Sequence, residues 1–191
     1  FGLRYETQVS LDWETTIQDV SRGTAGEAIL NLKNRINGIS SGRDLPAVLA
    51  VGFEWKMLDK LTLSPSFTYF FEDHADWDTQ NYAVDGDSYE IGLALKYDVT
   101  DTLALTTGYL YIDVDMKPEN FGIIEKMSPP LDCHAVAVGA NYKLSDRMTL
   151  NFGLAGYFYE EDSAAATALT PAVTYDKTFY QAGVSIQYRF F

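Results

Sequence analysis

His74, His134 and Cys133 are the residues of this 191-residue chain whose side chains could serve as base or nucleophile. A lipid hydrolase needs a histidine beside a serine or cysteine nucleophile. Cys133 and His134 are neighbours at the start of a strand-like segment, and adjacent strand residues point to opposite faces. The pair is badly placed to act as a couple, so an enzyme is not expected. The acidic stretch 72–88 is the second reactive group, because Asp73, Asp76, Asp78, Asp85 and Asp87 could offer oxygen ligands to Ca²⁺. The ligand spacing of a helix–loop–helix calcium site is missing, and the reading is a solvated acidic loop with no metal and no cofactor. Charges interleaved with apolar residues form the third group: Arg4, Glu6, Asp12, Glu54, Lys56, Glu90, Lys96 and Asp98. Their mixed signs read as ion pairs that brace a wall. The functional alternative is contact with a plug or a substrate carboxylate, for which Arg4, Lys56 and Lys96 are the candidate binding residues.

The elements that carry these residues follow a period of two. Leu3, Tyr5, Val9, Leu11 and Trp13 alternate with Arg4, Glu6, Gln8, Ser10 and Asp12, which gives a strand with one apolar and one polar face. The pattern returns in Leu49–Met57, Leu61–Phe71 and Tyr89–Val99, then near 102–115, 132–144, 147–160 and 177–190. Eight such segments are expected, long for the strands of an ordinary sandwich. Leu58-Asp59-Lys60, Thr100-Asp101 and Ser145-Asp146-Arg147 are tight connections, whereas 14–44, 72–87, 116–131 and 161–176 are long and polar. Short turns at one end and long loops at the other is the layout of an outer-membrane barrel. The segments starting at Trp55, Tyr97 and Tyr142 repeat one another, with Asp59, Asp101 and Asp146 spaced 42 and 45 residues apart. Each repeat is a hairpin with an aromatic residue at the end of its descending strand. Pro65 lies inside a strand and predicts a bulge or kink there. Inside the first long loop, Ala25, Ala28, Ile29, Leu32 and Ile36 share one helical face behind a Thr24/Glu27 capping box. That segment reads as a short amphipathic helix on the rim, or as a lid over the mouth.

Composition narrows the function classes. Lys plus Arg number 14 and Asp plus Glu 27, a net charge of −13, which argues against nucleic acid as a partner. No apolar run approaches the ~18 residues that a membrane helix needs. An aromatic content of 14% argues against disorder. Cys133 is the single cysteine, so no internal disulfide forms. No signal peptide is expected at Phe1, and the chain reads either as a mature product or as part of something longer.

Alternation alone does not say which face is inside. Trp13, Trp55, Tyr97, Tyr142 and Tyr188 lie on the apolar side near strand ends, where a membrane barrel carries its aromatic girdle. The opposite side mixes charges with Gly, Ala, Ser and Thr, as a wet or plugged lumen would. The final strand, Gln181 to Phe191, places Ile186, Tyr188 and Phe190 in one register. It resembles the signal read by the barrel-assembly machinery of outer membranes. The expectation is one domain, residues 1–191: a transmembrane antiparallel up-and-down β-barrel in the bacterial outer membrane. Its short turns face the periplasm and its long loops the exterior.

Thr100–Tyr111, Ser128–Asp132 and Val136–Leu150, with Gly2–Tyr5 and Asp44–Ala47, resemble strands of the FadL/TodX family of outer-membrane transporters for long-chain fatty acids and hydrocarbons. That resemblance implies passive uptake of hydrophobic small molecules such as long-chain fatty acids, with no covalent chemistry. Family members have a larger barrel plugged by an N-terminal hatch, so the chain would correspond to the C-terminal eight strands or to a shortened relative. Small inward residues, including Gly92, Ala94, Gly108, Ala137, Gly139, Gly153 and Ala155, favour a wider parent barrel, because an eight-stranded one is filled by its side chains. The even strand number leaves closure open. The alternative is a closed eight-stranded structural barrel without transport, whose acidic loops bind partners or divalent ions bridging lipopolysaccharide. Membrane lipids, lipopolysaccharide, the assembly machinery and a hydrophobic ligand are the expected partners.

Overall fold

A computed structural model describes residues 1–14, 16, 38, 40–42, 44–77, 84–117, 129–166 and 172–190, except the side chains of Trp13, Ser40 and Ser41. The expected rim helix, with Thr24 and Glu27, lies outside the described residues, as do Asp78 and Phe191.

Among the described residues the strands run in chain order as β1 (Gly2–Glu6), β2 (Asp12–Glu14), β3 (Ser40–Gly42), β4 (Ala47–Gly52), β5 (Trp55–Leu58), β6 (Leu61–Phe71) and β7 (Tyr89–Asp98). β8 (Leu103–Asp113), β9 (Cys133–Ser145), β10 (Met148–Tyr159), β11 (Asp162–Ala164), β12 (Val173–Tyr175) and β13 (Thr178–Tyr188) follow. The described residues hold no α-helix, only a single 3₁₀ turn at Glu72–His74. β6 to β10 and β13 are 10–13 residues long. They match the segments read from alternation almost end for end.

One antiparallel sheet of nine strands has the order β1-β4-β6-β7-β8-β9-β10-β13, with β5 beside β4 on the same edge of β6. The expectation of an up-and-down antiparallel barrel with eight strands in this chain is thus met as far as the antiparallel wall, and closure is not seen among the described residues. Among the described residues the strands of the sheet number nine, and β1 and β13 each bond to one neighbour. The ninth strand arises because the ladder breaks at Phe53 and Glu54, dividing one expected strand into β4 and β5. Pro65 sits opposite that break. It stays within β6, paired with Leu93, and its carbonyl accepts the Phe53 N–H at 3.2 Å. The disturbance expected at Pro65 therefore falls on its neighbour.

The first expected strand is also divided. Leu3 to Trp13 becomes β1 and β2, joined through the lone Val9–Leu45 bridge, and β2 pairs with β3 in a separate small sheet. β11 and β12 form a further two-stranded hairpin in the last long loop.

Cross-strand register makes two unlike faces. One row on the first face runs Leu3, Val51, Phe67, Ile91, Tyr111, His134, Phe158 and Thr178. Leu61, Tyr97, Leu105, Ala140, Phe152 and Val184 make a parallel row nearer the tight turns. This apolar face is open: Leu154 is 60% exposed, Val184 67% and Tyr180 71%. The only hydrophobic cluster among the described buried residues lies in the loops, where Leu131, Ala164 and Tyr175 pack with Tyr159 and Val173. Most of the wall's large apolar groups share this one open face, and its buried hydrophobic cluster sits in the loops.

Candidate functional site

The second face changes character from one end of the strands to the other. Its middle rows are Ser64, Ala94, Gly108, Ala137, Ala155, Gln181 and Thr62, Lys96, Thr106, Gly139, Gly153, Gly183. A trough of about 420 Å³ runs along Ala94, Gly108, Ala137, Gly139, Gly153 and Gly183. A β-carbon added at Gly153 or Gly183 would meet nothing within 4 Å, so these glycines leave open space. Toward the long loops the face carries Leu110, Tyr157 and Phe179 in one row. There the Tyr157 and Phe179 rings lie 5.7 Å apart.

Toward the tight turns the face becomes polar. Asn141 Nδ2 donates to Asn151 Oδ1 at 2.8 Å, and Asn151 Nδ2 donates to Ser185 Oγ at 3.2 Å. Lys96, Asp98, Lys143 and Gln187 surround the neighbouring recess of about 210 Å³. This amide ladder carries no sequence motif and escaped the reading of the sequence. Its residues are visible there only as polar members of an alternating set.

The three candidate binding residues separate into two places. Lys56 and Lys96 flank Thr62 in one cross-strand row near the tight turns. Arg4 lies three rows away, aligned with Ala50, Thr68, Glu90, Ile112 and Cys133. Arg4 reaches Glu6 at 3.5 Å and Lys96 reaches Asp98 at 3.2 Å, both as exposed pairs. Exposed pairs of this kind contribute little to stability, about 0–1 kcal/mol. Lys56 has no ion-pair partner among the described residues. Both pairs lie within one strand, Arg4 and Glu6 on β1 and Lys96 and Asp98 on β7, so neither ties one strand to the next, and Lys56 shares this face with Lys143, which likewise makes no ion pair among the described residues. Asp12 lies on β2, outside the main sheet, and Glu54 falls in the break between β4 and β5.

The loop end is held by carboxylates that accept backbone amides. Asp44 is buried and accepts from Gln8 Nε2 at 2.6 Å, Leu11 N at 3.1 Å and Asp76 N at 3.2 Å. Asp132 accepts Val114 N at 2.8 Å and ties the end of β8 to the start of β9. The partners of Asp44 lie 32–36 residues away, which no local pattern announces. An Asp ahead of a strand is the one cue, since such carboxylates bind neighbouring amides readily. The Gln8 hydrogen bond, aided by the Leu11 and Asp76 amides and opposed by burial, holds the Asp44 carboxyl below its usual range. A carboxyl lowered on folding stabilises above its unfolded pKa, and that stability is lost as pH falls through the folded value. Acidification through that window is expected to lower the protection factors of the Leu11 and Asp76 amides, taken against the intrinsic exchange rate at the same pH, and Asp44→Asn is expected to remove the effect. Equal protection factors at neutral and acid pH in the unaltered chain would contradict this role.

Three carboxylates of the acidic stretch, those of Glu72, Asp85 and Asp87, are engaged with the chain. Asp87 accepts Tyr69 OH at 2.8 Å and Asp73 N at 2.8 Å, and Asp85 pairs with Lys117. Glu72 bonds Ser88, while burial and the nearby Asp87 and Asp115 charges push its carboxyl up. Among the described residues no three His, Cys, Asp or Glu side chains converge to hold a metal ion.

Cys133 and His134 fall on opposite faces, as strand geometry requires. Cys133 is 1% exposed, whereas His134 lies on the apolar face between Tyr109 OH at 2.7 Å and Glu160 Oε1 at 3.1 Å. Trp55, Tyr97, Tyr142 and Tyr188 occupy that same face at the tight-turn end, opposite Leu63, Leu61, Leu103 and Met148.

No family model and no curated protein sequence matches the chain. Among solved structures it is similar to a Pseudomonas aeruginosa FadL homologue, with a TM-score of 0.66 at 15% identity, over 99% of this chain and 48% of that one. It is also similar to the P. putida toluene transporter TodX, with a TM-score of 0.51 at 15% identity, over 78% of this chain and 37% of that one. The chain therefore spans about half the length, or less, of the transporters it resembles. Both likenesses concern the fold, and the chain has part of the fold of a FadL-type outer-membrane transporter.

Proposed function

We propose that this chain forms wall and lumen of a bacterial outer-membrane β-barrel through which hydrophobic small molecules pass down their gradient. The observation that carries the reading is the pair of faces on one sheet. The outward face is apolar and open to its surroundings, and the inward face is floored with Gly, Ala and Ser. In hydrocarbon the outer N–H and C=O groups of β1 and β13 require partners, so the wall closes through these two edges. Aromatic and apolar groups at the loop end receive the guest, and the glycine- and alanine-lined trough at the centre leaves it room to pass. Lys56 and Lys96, with the Asn141–Asn151–Ser185 ladder, meet it at the tight-turn end, which suits a guest with a polar terminus such as a long-chain fatty acid. The chemistry is binding and diffusion, without catalysis. In this reading the assembly machinery recognises the final strand from Gln181, and lipopolysaccharide surrounds the loop end of the wall.

Gly153→Trp tests the passage. It projects an indole into open space on the inward face while leaving the ladder of β10 intact. Cells relying on the protein for a labelled long-chain fatty acid are expected to lose at least tenfold in uptake, with unchanged amounts in the outer membrane. Unchanged uptake in that variant would remove the transport reading in favour of a structural barrel.

A further inference from the structure

We infer that the far end of the β10–β13 hairpin is a hinged lid, seated over the loop-end mouth of the lumen, which lifts to admit the hydrophobic guest. The inference rests on the transport reading and adds how entry is controlled. β10 and β13 pair as far as Phe158 with Thr178, and the Tyr159 N–H still donates to the Lys177 carbonyl at 3.1 Å. Pairing resumes between Asp162 of β11 and Tyr175 of β12. Glu160 and Glu161 therefore stand opposite Asp176 alone, the two-against-one count of a β-bulge. A bulge bends its strand and interrupts the ladder. β11 and β12 are thus the tip of the same hairpin, folded over at a hinge.

The tip folds toward the lumen. Tyr159 is the cross-strand partner of Cys133, in line with Ile112 and Glu90 on the inward face. Ala164, Val173 and Tyr175 of the tip, with Leu131 from the approach to β9, pack together with Tyr159. Lys177 Nζ lies 3.8 Å from the centre of the Tyr159 ring, and the Glu160 N–H donates to the Asp132 carbonyl at 2.8 Å. These two contacts moor both arms of the hinge to the wall. One row deeper on the same face stand Ala135, Tyr157 and Phe179, and the next row is Ala137, Ala155 and Gln181 of the trough. A guest moving along β9 and β10 from the exterior to the trough meets the seated tip first.

The seat is built to release. Tyr175 is 8% exposed, and among the described residues its OH finds no hydrogen-bond partner. A buried hydroxyl of this kind has given up water without gaining a partner, so it opposes closure by a cost that lifting recovers. The ring holds the tip down through apolar contact, and the hydroxyl limits how firmly it does so. Cys133, at the row where the tip sits, is 1% exposed.

The Cys133 thiol reports the lifting, because a buried thiol reacts only in the opened form. Intact cells carrying the full-length protein are treated with a charged, membrane-impermeant methanethiosulfonate, and labelling is read by mass spectrometry at the Cys133 peptide. Tyr175→Phe keeps the ring and removes the hydroxyl. It is expected to slow labelling at least fivefold and to lower uptake of the labelled long-chain fatty acid in step. Tyr175→Ala removes the seat and is expected to speed labelling at least tenfold. Labelling that Tyr175→Phe leaves unchanged or speeds would overturn the lid, and slower labelling with unchanged uptake would overturn its control of entry. Gly153→Trp, deeper on the inward face, is expected to reduce uptake while Cys133 labelling stays as it was. A failed passage and a failed lid are therefore told apart.

Discussion

Leu154→Arg is expected to cost about 2–4 kcal/mol of stability in a bilayer, the penalty for a cation at mid-depth on the lipid side of a barrel. Leu154 lies between Val138 and Ala182 in a central row of the apolar face and is 60% exposed. In water an exposed leucine can become arginine at little cost, because the guanidinium gains hydration. The large penalty arises only if that face meets hydrocarbon. Gln181→Arg, on the inward face of β13 beside Ala155, is the matched control and is expected to change stability little. Urea titration in phospholipid vesicles reads both. Equal midpoints for the two variants would mean that the faces are solvated alike, and the barrel orientation would fall.

Gly139→Val carries the second large effect, for a steric reason on the other face. A β-carbon at Gly139 would stand 2.6 Å from Thr106 Oγ1 and 3.0 Å from the Phe152 carbonyl oxygen. The threonine can rotate, but the carbonyl belongs to the β10 backbone and cannot withdraw without breaking its ladder. Overpacking of this sort costs about 1–3 kcal/mol. Gly153→Val, its direct partner in the same row, meets nothing within 4 Å and replaces glycine by a good strand former. It is therefore expected to be neutral or stabilising. Two paired glycines with opposite responses separate packing from propensity in a single urea series. Equal losses at both positions would show that glycine is needed there for conformation instead of space.

Periodicity made the wall legible. β6 to β10 and β13 could be drawn from alternation and tight turns, because a half-buried strand writes its geometry into every second residue. The same rule placed Arg4, Lys56 and Lys96 on one face with the small residues. Distances along that face were not legible, so Arg4 proves to be three rows from the two lysines. Leu3 to Trp13 kept its alternation through a break that the pattern could not register, since Val9–Leu45 and the β2–β3 pairs hold the same register as β1–β4 while the ladder between them is interrupted. Asp44 and Asp132 were equally hidden. Their work is to gather amides from distant loop segments, and such contacts have no period. The pairing of His134 with Glu160 joins the start of β9 to the end of β10, 26 residues apart. Only the register of the two strands reveals it.

The separate cluster of Leu131, Ala164 and Tyr175 has a thermodynamic meaning of its own. In an ordinary domain one interior supports walls and loops together, and heating exposes both to water with a large rise in heat capacity. In the barrel proposed above, the wall keeps its greasy groups toward lipid, so their environment is supplied by the medium and changes little when strands part within it. The β11–β12 hairpin and Leu131 would there behave as a miniature soluble protein seated on a membrane one. Loop and wall therefore answer to different solvents, and substitutions in one can accumulate with little regard to the other.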